Sequence, residues 1–253
     1  MLKVRIIPTL LWKDVGLVKG KGFDSWRRVG SVMPAIKVYN TRQVDELILV
    51  DITATNESRL PDFDIISEVS GECFFPFTVG GGITKTDDIK EMLRSGADKI
   101  SINSAIYRTP DLINESANLF GSQCVVVSID AKKTSSGYMC FSHSGSNDTG
   151  IKVEDWVKEV EKRGAGEILI TSIERDGTMT GYDIELLKLV SNSVSIPVIA
   201  SGGAGSYEDM YKAISEANVS AVAAASIYHF TEQTPMEAKM YLADKGVPVR
   251  INK

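Results

Sequence analysis

Short apolar runs, rich in β-branched and aliphatic residues, recur along the chain at intervals of roughly 25 to 45 residues. Amphipathic stretches of helical character, such as residues 155–162, separate most of them. Strands that are apolar throughout and alternate with helices are typical of a parallel sheet buried on both faces. The predicted strands span residues 4–10, 47–52, 75–79, 99–102, 123–129, 168–172, 197–200 and 221–225.

The chain also repeats itself. The apolar segment that begins at Glu46 returns 121 residues later at Glu167, and the glycine-rich turn at Gly80 returns at the same offset. This repetition predicts two half-barrels, about 1–120 and 121–253, within one domain of residues 1–253. Eight strand–helix units in two similar halves favour a single (β/α)8 TIM barrel of the α/β class. A doubly wound sheet is the alternative, but no G-x-G-x-x-G follows the first predicted strand.

Composition and charge narrow the class of protein. The 253 residues carry a formal net charge of −5, which argues against general binding to nucleic acid or anionic membranes. No apolar stretch approaches the roughly 20 residues that span a bilayer, and the chain opens on a strand-like run. We therefore expect no signal peptide and a cytoplasmic protein. Three unevenly spaced cysteines fit a reducing compartment and predict neither a disulfide framework nor a metal site.

Two segments interrupt the alternation of strands and helices. Residues 11–34 carry five cations among four glycines, and residues 134–149 are rich in Ser, Gly, Asn and Asp. Both follow strands, at the end of a barrel where active sites lie, and long loops in compact domains are usually functional. The first segment is predicted to be a loop that closes over an anionic ligand, the alternative being a solvated basic loop. The second is predicted to be a hairpin or a flexible loop.

The turn at Gly80, Gly81 and Gly82, and its repeat at Gly202 and Gly203, each follow a strand and precede a helix. Glycines let the backbone turn sharply and expose its N–H groups, and the following helix start adds partial positive charge. One such turn is explained equally well by a tight connection without a ligand. Two of them suit a ligand with a phosphate at each end.

A set of motifs spread over essentially the whole chain carries a family resemblance. The motifs include Arg5-Ile6-Ile7-Pro8, Asp51-Ile52-Thr53-Ala54, Thr78-Val79-Gly80-Gly81-Gly82-Ile83, Ser128-Ile129-Asp130-Ala131-Lys132, Arg175-Asp176-Gly177-Thr178 and Ala200-Ser201-Gly202-Gly203-Ala204-Gly205. The set resembles the cyclase (synthase) subunit of imidazole glycerol phosphate synthase. The resemblance implies a barrel that receives ammonia from a glutaminase partner and uses it to cleave and cyclise a bis-phosphorylated substrate. It implies no cofactor and no metal.

The resemblance also implies roles for individual residues at the mouth of the barrel. One phosphate would be held by Gly82, Asn103 and Ser104. The other end of the ligand would be surrounded by Asp176, Gly177, Gly202, Gly203, Ala225 and Ser226. Lys19, on the first long loop, would close over the substrate and take part in catalysis. Taken singly, Asn103 and Asp176-Gly177 are explained as well by ordinary turns.

The catalytic pair departs from the family pattern. The family has an aspartate at the end of the first strand and another at the end of the fifth, which can act as general acid and base. Asp130 stands at the second position. Leu11 stands at the first, within Thr9-Leu10-Leu11-Trp12, where the family has cysteine-leucine-aspartate-valine. Because leucine cannot transfer a proton, its presence would lower the rate of cyclisation by about 10² to 10⁴.

The opposite end of the barrel keeps the family pattern. Two cations and two anions stand at or just before strand starts, where they can form a closed ring of ion pairs: Arg5, Glu46, Lys99 and Glu167. In the family the matching residues gate an ammonia channel. Thr78 and Ser101 would be polar residues along that channel, and Asp98 and Gln123 would lie on the face that docks the glutaminase. Solvated strand flanks are the alternative interpretation.

An intact ammonia inlet beside a missing acid/base residue resembles a subset of paralogues in surface-polysaccharide biosynthesis. There the barrel and its glutaminase supply ammonia to a separate sugar amidotransferase, and we predict that role for this chain. One alternative is a histidine-pathway lyase that tolerates Leu11. Another is a non-catalytic, ligand-binding activator of the glutaminase.

Overall fold

The computed structural model of the protein describes residues 2–14 and 16–251. Its strands are β1 (Arg5–Lys13), β2 (Gly16–Lys21), β3 (Asp24–Gly30), β4 (Leu47–Asp51), β5 (Phe77–Gly80), β6 (Lys99–Ile102), β7 (Val125–Thr134), β8 (Gly137–Ser142), β9 (Asn147–Lys152), β10 (Glu167–Ser172), β11 (Val198–Ser201) and β12 (Ala221–Ala224). Eight of them pair in parallel and close on themselves, in the order β1, β4, β5, β6, β7, β10, β11 and β12. The predicted (β/α)8 barrel is confirmed, and all eight predicted strands are present, seven with shifted ends and β6 with the predicted bounds.

Helices cover the outside of the barrel. They are α1 (Val32–Thr41), α2 (Phe63–Glu72), α3 (Thr86–Arg94), α4 (Asp111–Phe120), α5 (Val153–Lys162), α6 (Ile184–Ser191), α7 (Tyr207–Ala217), α8 (Ser226–Phe230) and α9 (Pro235–Asp244). In α3 the buried Ile89 and Met92 form the inner stripe. The Asp88 carboxylate accepts the backbone N–H groups of Thr84 and Lys85 at the start of that helix. Such helices bury one face against the strands and leave the charged face in solvent.

Apolar side chains fill two separate layers. The larger core lies between the strands and the helices, and a smaller one lies inside the barrel. The inner core consists of Ile7, Ile48, Val126, Leu169, Ile199, Ala221 and Ala223. Because side chains alternate between the two faces of a strand, the residue two positions before or after each of these also points inward. The barrel interior is therefore apolar in the middle, with polar groups at its two ends.

Both segments that interrupt the alternation form antiparallel ribbons on the ends of barrel strands. The first ribbon consists of the end of β1 with β2 and β3, and the second of the end of β7 with β8 and β9. The prediction of a loop over residues 11–34 is wrong: β1 continues through Leu11, and its end pairs with β2, which pairs with β3. Alternating glycines and lysines lower the intrinsic preference of this segment for the strand conformation. Hydrogen bonding of β2 to the end of β1 stabilises the strands despite that low preference. The hairpin predicted within 134–149 is present as β8 and β9, paired on the end of β7.

No helix within residues 2–14 and 16–251 is long and apolar enough to cross a membrane.

Candidate functional site

A cavity opens at the carboxyl ends of the barrel strands, the end at which barrel enzymes bind substrates. Every residue predicted for the catalytic and phosphate-binding roles lines this single cavity: Leu11, Lys19, Gly82, Asn103, Ser104, Asp130, Asp176, Gly177, Gly202, Gly203, Ala225 and Ser226. The fold thus brings together positions that are up to about two hundred residues apart in sequence. Their roles remain predictions.

Leu11 and Asp130 occupy equivalent places in the two halves. Each lies near the end of the first strand of its half, where that strand leaves the barrel to form a ribbon. Leu11 pairs with Val50 of β4, and Asp130 pairs with Thr171 of β10. All four side chains line the cavity. One half therefore presents two hydrocarbon side chains where the other presents a carboxylate and a hydroxyl.

Asp130 is the buried carboxylate of this wall. The Asn103 amide donates a 2.7 Å hydrogen bond from Nδ2 to its Oδ2. Burial raises the pKa of Asp130 to about 7, since the Asn103 hydrogen bond only partly offsets the loss of hydration, and the charge of Asp176 raises it further. A carboxyl group with a pKa near neutrality can both accept and donate a proton at physiological pH.

Two further carboxylates line the cavity, but each is already held by a cation. Asp176 accepts two hydrogen bonds from Lys19 Nζ, at 2.8 and 2.7 Å. Asp51 accepts hydrogen bonds from the Arg59 guanidinium at 2.6 and 3.2 Å. Neither replaces the missing acid/base group at Leu11, because the carboxylate oxygens of each are already bound by a cation.

The glycine-rich turns follow their strands as predicted, and close backbone approach explains the glycines at Gly82 and Gly177. Gly82 has φ +67°, and a side chain there would collide with the Arg59 carbonyl. Gly177 has φ +72°, and a side chain there would collide with the Gly20 carbonyl. Both positions require glycine for conformation and for space. The buried hydroxyl of Ser226 beside the second turn has no protein partner among the described residues, so it is available to a ligand.

The two ribbons cross over the cavity, each onto the opposite half of the barrel. The first ribbon reaches the second half: besides the Lys19–Asp176 pair, the Gly22 N–H donates to the Asp176 carbonyl at 2.9 Å. The second ribbon reaches the first half, where the His143 N–H donates to Ser104 Oγ at 2.9 Å. Ser144 donates from its hydroxyl to the Ile52 carbonyl at the same distance.

Lys19 is predicted to close over the substrate, and here it is paired with a carboxylate. Its side chain is only 3% exposed and is folded under the ribbon onto Asp176. The sequence also gave no reason to single out Phe23 and Trp26, which line the cavity from the same ribbon. Phe23 lies in the turn between β2 and β3 and Trp26 lies on β3, so the prediction of a loop over this segment gave no indication that they approach the cavity.

At the opposite end of the barrel the four charged residues form one closed ring. Arg5 donates to Glu46 and to Glu167, each at 2.7 Å, and Lys99 donates to the same two carboxylates at 3.0 and 2.7 Å. Burial tends to raise the pKa of Glu167, but hydrogen bonds and charge from Arg5 and Lys99 outweigh it and leave that pKa lowered. The predicted ring of ion pairs is present, and its use as a gate remains a prediction.

Polar residues follow the ring into the barrel. Thr78 donates from its hydroxyl to Glu46 at 2.8 Å and is fully buried. Ser101 is buried one strand away and lines the inner end of the cavity. Asp98 and Gln123 are exposed at the starts of β6 and β7, on the same end as the ring. This is the face on which we predicted that a partner docks.

The fold and the position of the cavity first define a general class: a (β/α)8 barrel with a polar cavity at the carboxyl ends of its strands. Comparison with known proteins then gives the family. Residues 5–234 match the family described as "Histidine biosynthesis protein".

Full-length relatives agree with this match. The imidazole glycerol phosphate synthase subunit HisF of Natranaerobius thermophilus is 47% identical over 99% of this chain and 100% of its own length. The HisF subunits of Caulobacter vibrioides and Dictyoglomus thermophilum are 48% and 49% identical over 100% of this chain and 98% and 100% of their own. The chain belongs to this histidine biosynthesis protein family.

Proposed function

We propose that this chain is the barrel subunit of a glutamine amidotransferase of the imidazole glycerol phosphate synthase type. It receives ammonia from a glutaminase partner at the Arg5–Glu46–Lys99–Glu167 ring and delivers it to a bis-phosphorylated ligand at the opposite mouth. The observation that carries the proposal is the closed charged ring at one end of the same barrel whose other end holds the cavity. The names of the relatives, which describe a synthase subunit, support it.

The ligand is proposed to span the mouth, with one phosphate at each glycine-rich turn. Backbone N–H groups at Gly202 and Gly203 are suited to anions because no Cβ screens them. The N–H of Gly82, which donates to Thr55 Oγ1 at 3.3 Å, would exchange that partner for a phosphate oxygen. The neighbouring hydroxyls of Ser104 and Ser226 add donors at the two seats. Lys19 would exchange Asp176 for a ligand phosphate, since a charge-assisted hydrogen bond to phosphate is at least as strong as one to a carboxylate.

Two reactions are candidates at that mouth. The names of the relatives support the alternative stated from sequence, the cyclase reaction of histidine biosynthesis. Leu11 favours instead a subunit that passes ammonia to another acceptor, because its side chain lines the cavity opposite Asp130. The surface-polysaccharide role, with a sugar amidotransferase as acceptor, rests on Leu11 alone and has no support in the names of the relatives. The non-catalytic activator stays a third prediction.

The decisive assay gives the purified chain ammonium salt and the bis-phosphorylated substrate of histidine biosynthesis. Turnover within tenfold of that of a HisF protein with two aspartates, measured side by side, would establish the cyclase. Turnover lower by 10² or more, together with activation of a co-purified glutaminase, would support transfer of ammonia to another acceptor. A chain that neither turns over the substrate nor binds a glutaminase would contradict the proposed function.

A further inference from the structure

A row of polar side chains runs along one wall of the barrel from the ring to Asp130. Lys99, Ser101 and Asn103 occupy alternate positions of β6 and its end, so all three face the lumen. Lys99 belongs to the ring, Ser101 lines the cavity, and Asn103 donates to Asp130. Between the ring and the cavity, the rest of the barrel interior is largely apolar. A small polar solute that enters at the ring would therefore find hydrogen-bonding partners along this wall and reach Asp130.

The end of this row is a site rich in acceptors. Asn103 uses Nδ2 on Asp130, while its Oδ1 is buried and has no hydrogen-bond donor among the described residues. Oδ1 and Nδ2 share one amide carbon, so this unsatisfied acceptor lies beside the Asp130 carboxylate. Thr9 Oγ1, on β1 across the barrel from Asp130, and Ser226 Oγ are two more buried oxygens on the cavity wall with no hydrogen-bond partner among the described residues. Buried acceptors without donors are uncommon in folded proteins, and a ligand with several N–H groups would satisfy them.

The charges around the site favour one small cation. Asp176, whose charge acts on Asp130, forms an ion pair with Lys19, and the place in the first half that is equivalent to Asp130 is occupied by Leu11. Behind β7, Cys140 pairs with Ala131, and burial raises the pKa of its thiol to about 12, so it stays neutral. Burial also holds the pKa of Tyr107 well above its ordinary value. Among the described residues, Asp130 is thus the cavity carboxylate for which no ion pair is formed, whereas Asp51 and Asp176 each have one.

From this arrangement we infer that Asp130 and Asn103 bind ammonium, which makes them a holding site for ammonia between the ring and the acceptor. The inference rests on the proposed function for the source of the ammonia. Arriving ammonia takes the proton of the Asp130 carboxyl group, so that an N–H bond forms as the O–H bond breaks and an ion pair remains. Release to an acceptor returns the proton to the carboxylate. No further reactant is required.

The test uses the purified chain alone, with ammonium chloride as the probe. Thermal unfolding is followed at pH 8, where Asp130 is ionised, in ammonium, potassium and tetramethylammonium chloride of equal concentration. Ammonium is expected to raise Tm more than the other two, because only it offers N–H donors in a volume that fits the site. Binding of ¹⁵N-ammonium by NMR should be weakened at least tenfold in Asp130→Asn and several-fold in Asn103→Leu.

Glu232→Gln is the matched control, since it removes an exposed carboxylate outside the cavity lining and should leave ammonium binding unchanged. Equal effects of ammonium and potassium, or unchanged affinity in Asp130→Asn, would overturn the inference. If Asp130→Asn does not fold, competition on the unaltered chain decides: methylammonium should displace ¹⁵N-ammonium and tetramethylammonium should not. Failure of the chain to couple with a glutaminase would contradict the proposed function while leaving this binding result intact.

Discussion

The two halves of the barrel share one frame but differ in chemistry at equivalent places. Leu11 pairs with Val50 in the first half as Asp130 pairs with Thr171 in the second, and all four face the cavity. Each half also sends its ribbon onto the other half, so that Lys19 reaches Asp176 and His143 reaches Ser104. Strand register therefore determines where a side chain lies, whereas only the identity of that side chain decides whether it can transfer a proton there.

Restoring a carboxylate in the first half should have the largest effect. Leu11→Asp places an acid opposite Asp130, so that one carboxyl group can act as the general acid and the other as the general base. We expect cyclase turnover with ammonium salt to rise by roughly 10² or more. Val50→Thr, which makes the same half polar without a proton-transfer group, should change turnover by less than about threefold. Similar gains from both variants would show that polarity rather than proton transfer limits the reaction.

Removing the Asp130 carboxylate from the second half should stabilise the protein at high pH more than at low pH. Asp130 has a pKa of about 7 when folded and 3.8 as its ordinary value, so between these pH values the folded chain binds more protons than the unfolded chain. Stability therefore falls as pH rises from about 4 to 7. Asp130→Asn should remove this penalty, a gain of up to roughly 4 kcal/mol at pH 8 and little at pH 4. Urea unfolding at both pH values measures it; a gain of equal size at both would exclude this cause.

Reversing one charge of the ring tests the end of the barrel at which residues of both halves form ion pairs with one another. Lys99→Glu adds a third carboxylate beside Glu46 and Glu167, which like-charge repulsion should push apart. In the complex with a glutaminase, the yield of product per glutamine should fall about tenfold while activity with ammonium salt stays within about twofold. Lys90→Glu, on the exposed face of α3, is the control. Unchanged coupling in Lys99→Glu would mean that the ring does not gate ammonia.

The smallest effect is expected from breaking the ion pair between Lys19 of the first ribbon and Asp176 of the second half. Lys19→Met leaves Asp176 without its cation, but the ribbon can lift and let water reach the carboxylate. The cost should therefore be about 1 kcal/mol, below the 3–5 kcal/mol typical of a fixed buried pair. Hydrogen exchange should speed up in residues 16–30 and not in the barrel strands. Lys21→Met removes an exposed cation from the same ribbon and should leave exchange unchanged.

Much of the site could be predicted because it lies at strand ends. Gly82, Asn103 and Gly202 follow apolar runs, and in a closed parallel barrel all such positions meet at one mouth. The ring of ion pairs could be predicted for the same reason, because its four charged residues stand at strand starts, which meet at the opposite end of the barrel. The contacts of Lys19 could not be predicted, because they depend on a ribbon whose strands are stabilised by pairing with β1 rather than by local propensity.

Sequence by itself determined the eight-unit barrel, its internal repeat and the absence of a carboxylate at position 11, since periodicity and residue identity are local properties. Tertiary structure alone decided that Leu11 faces the cavity while Trp12, the next residue, packs outside against α2. The sequence shows that successive side chains alternate between two faces of a strand, but only the closed barrel decides which face is the inner one. Tertiary structure also decided that Asp130 is buried beside an unsatisfied amide oxygen, because burial depends on neighbours supplied by distant segments of the chain.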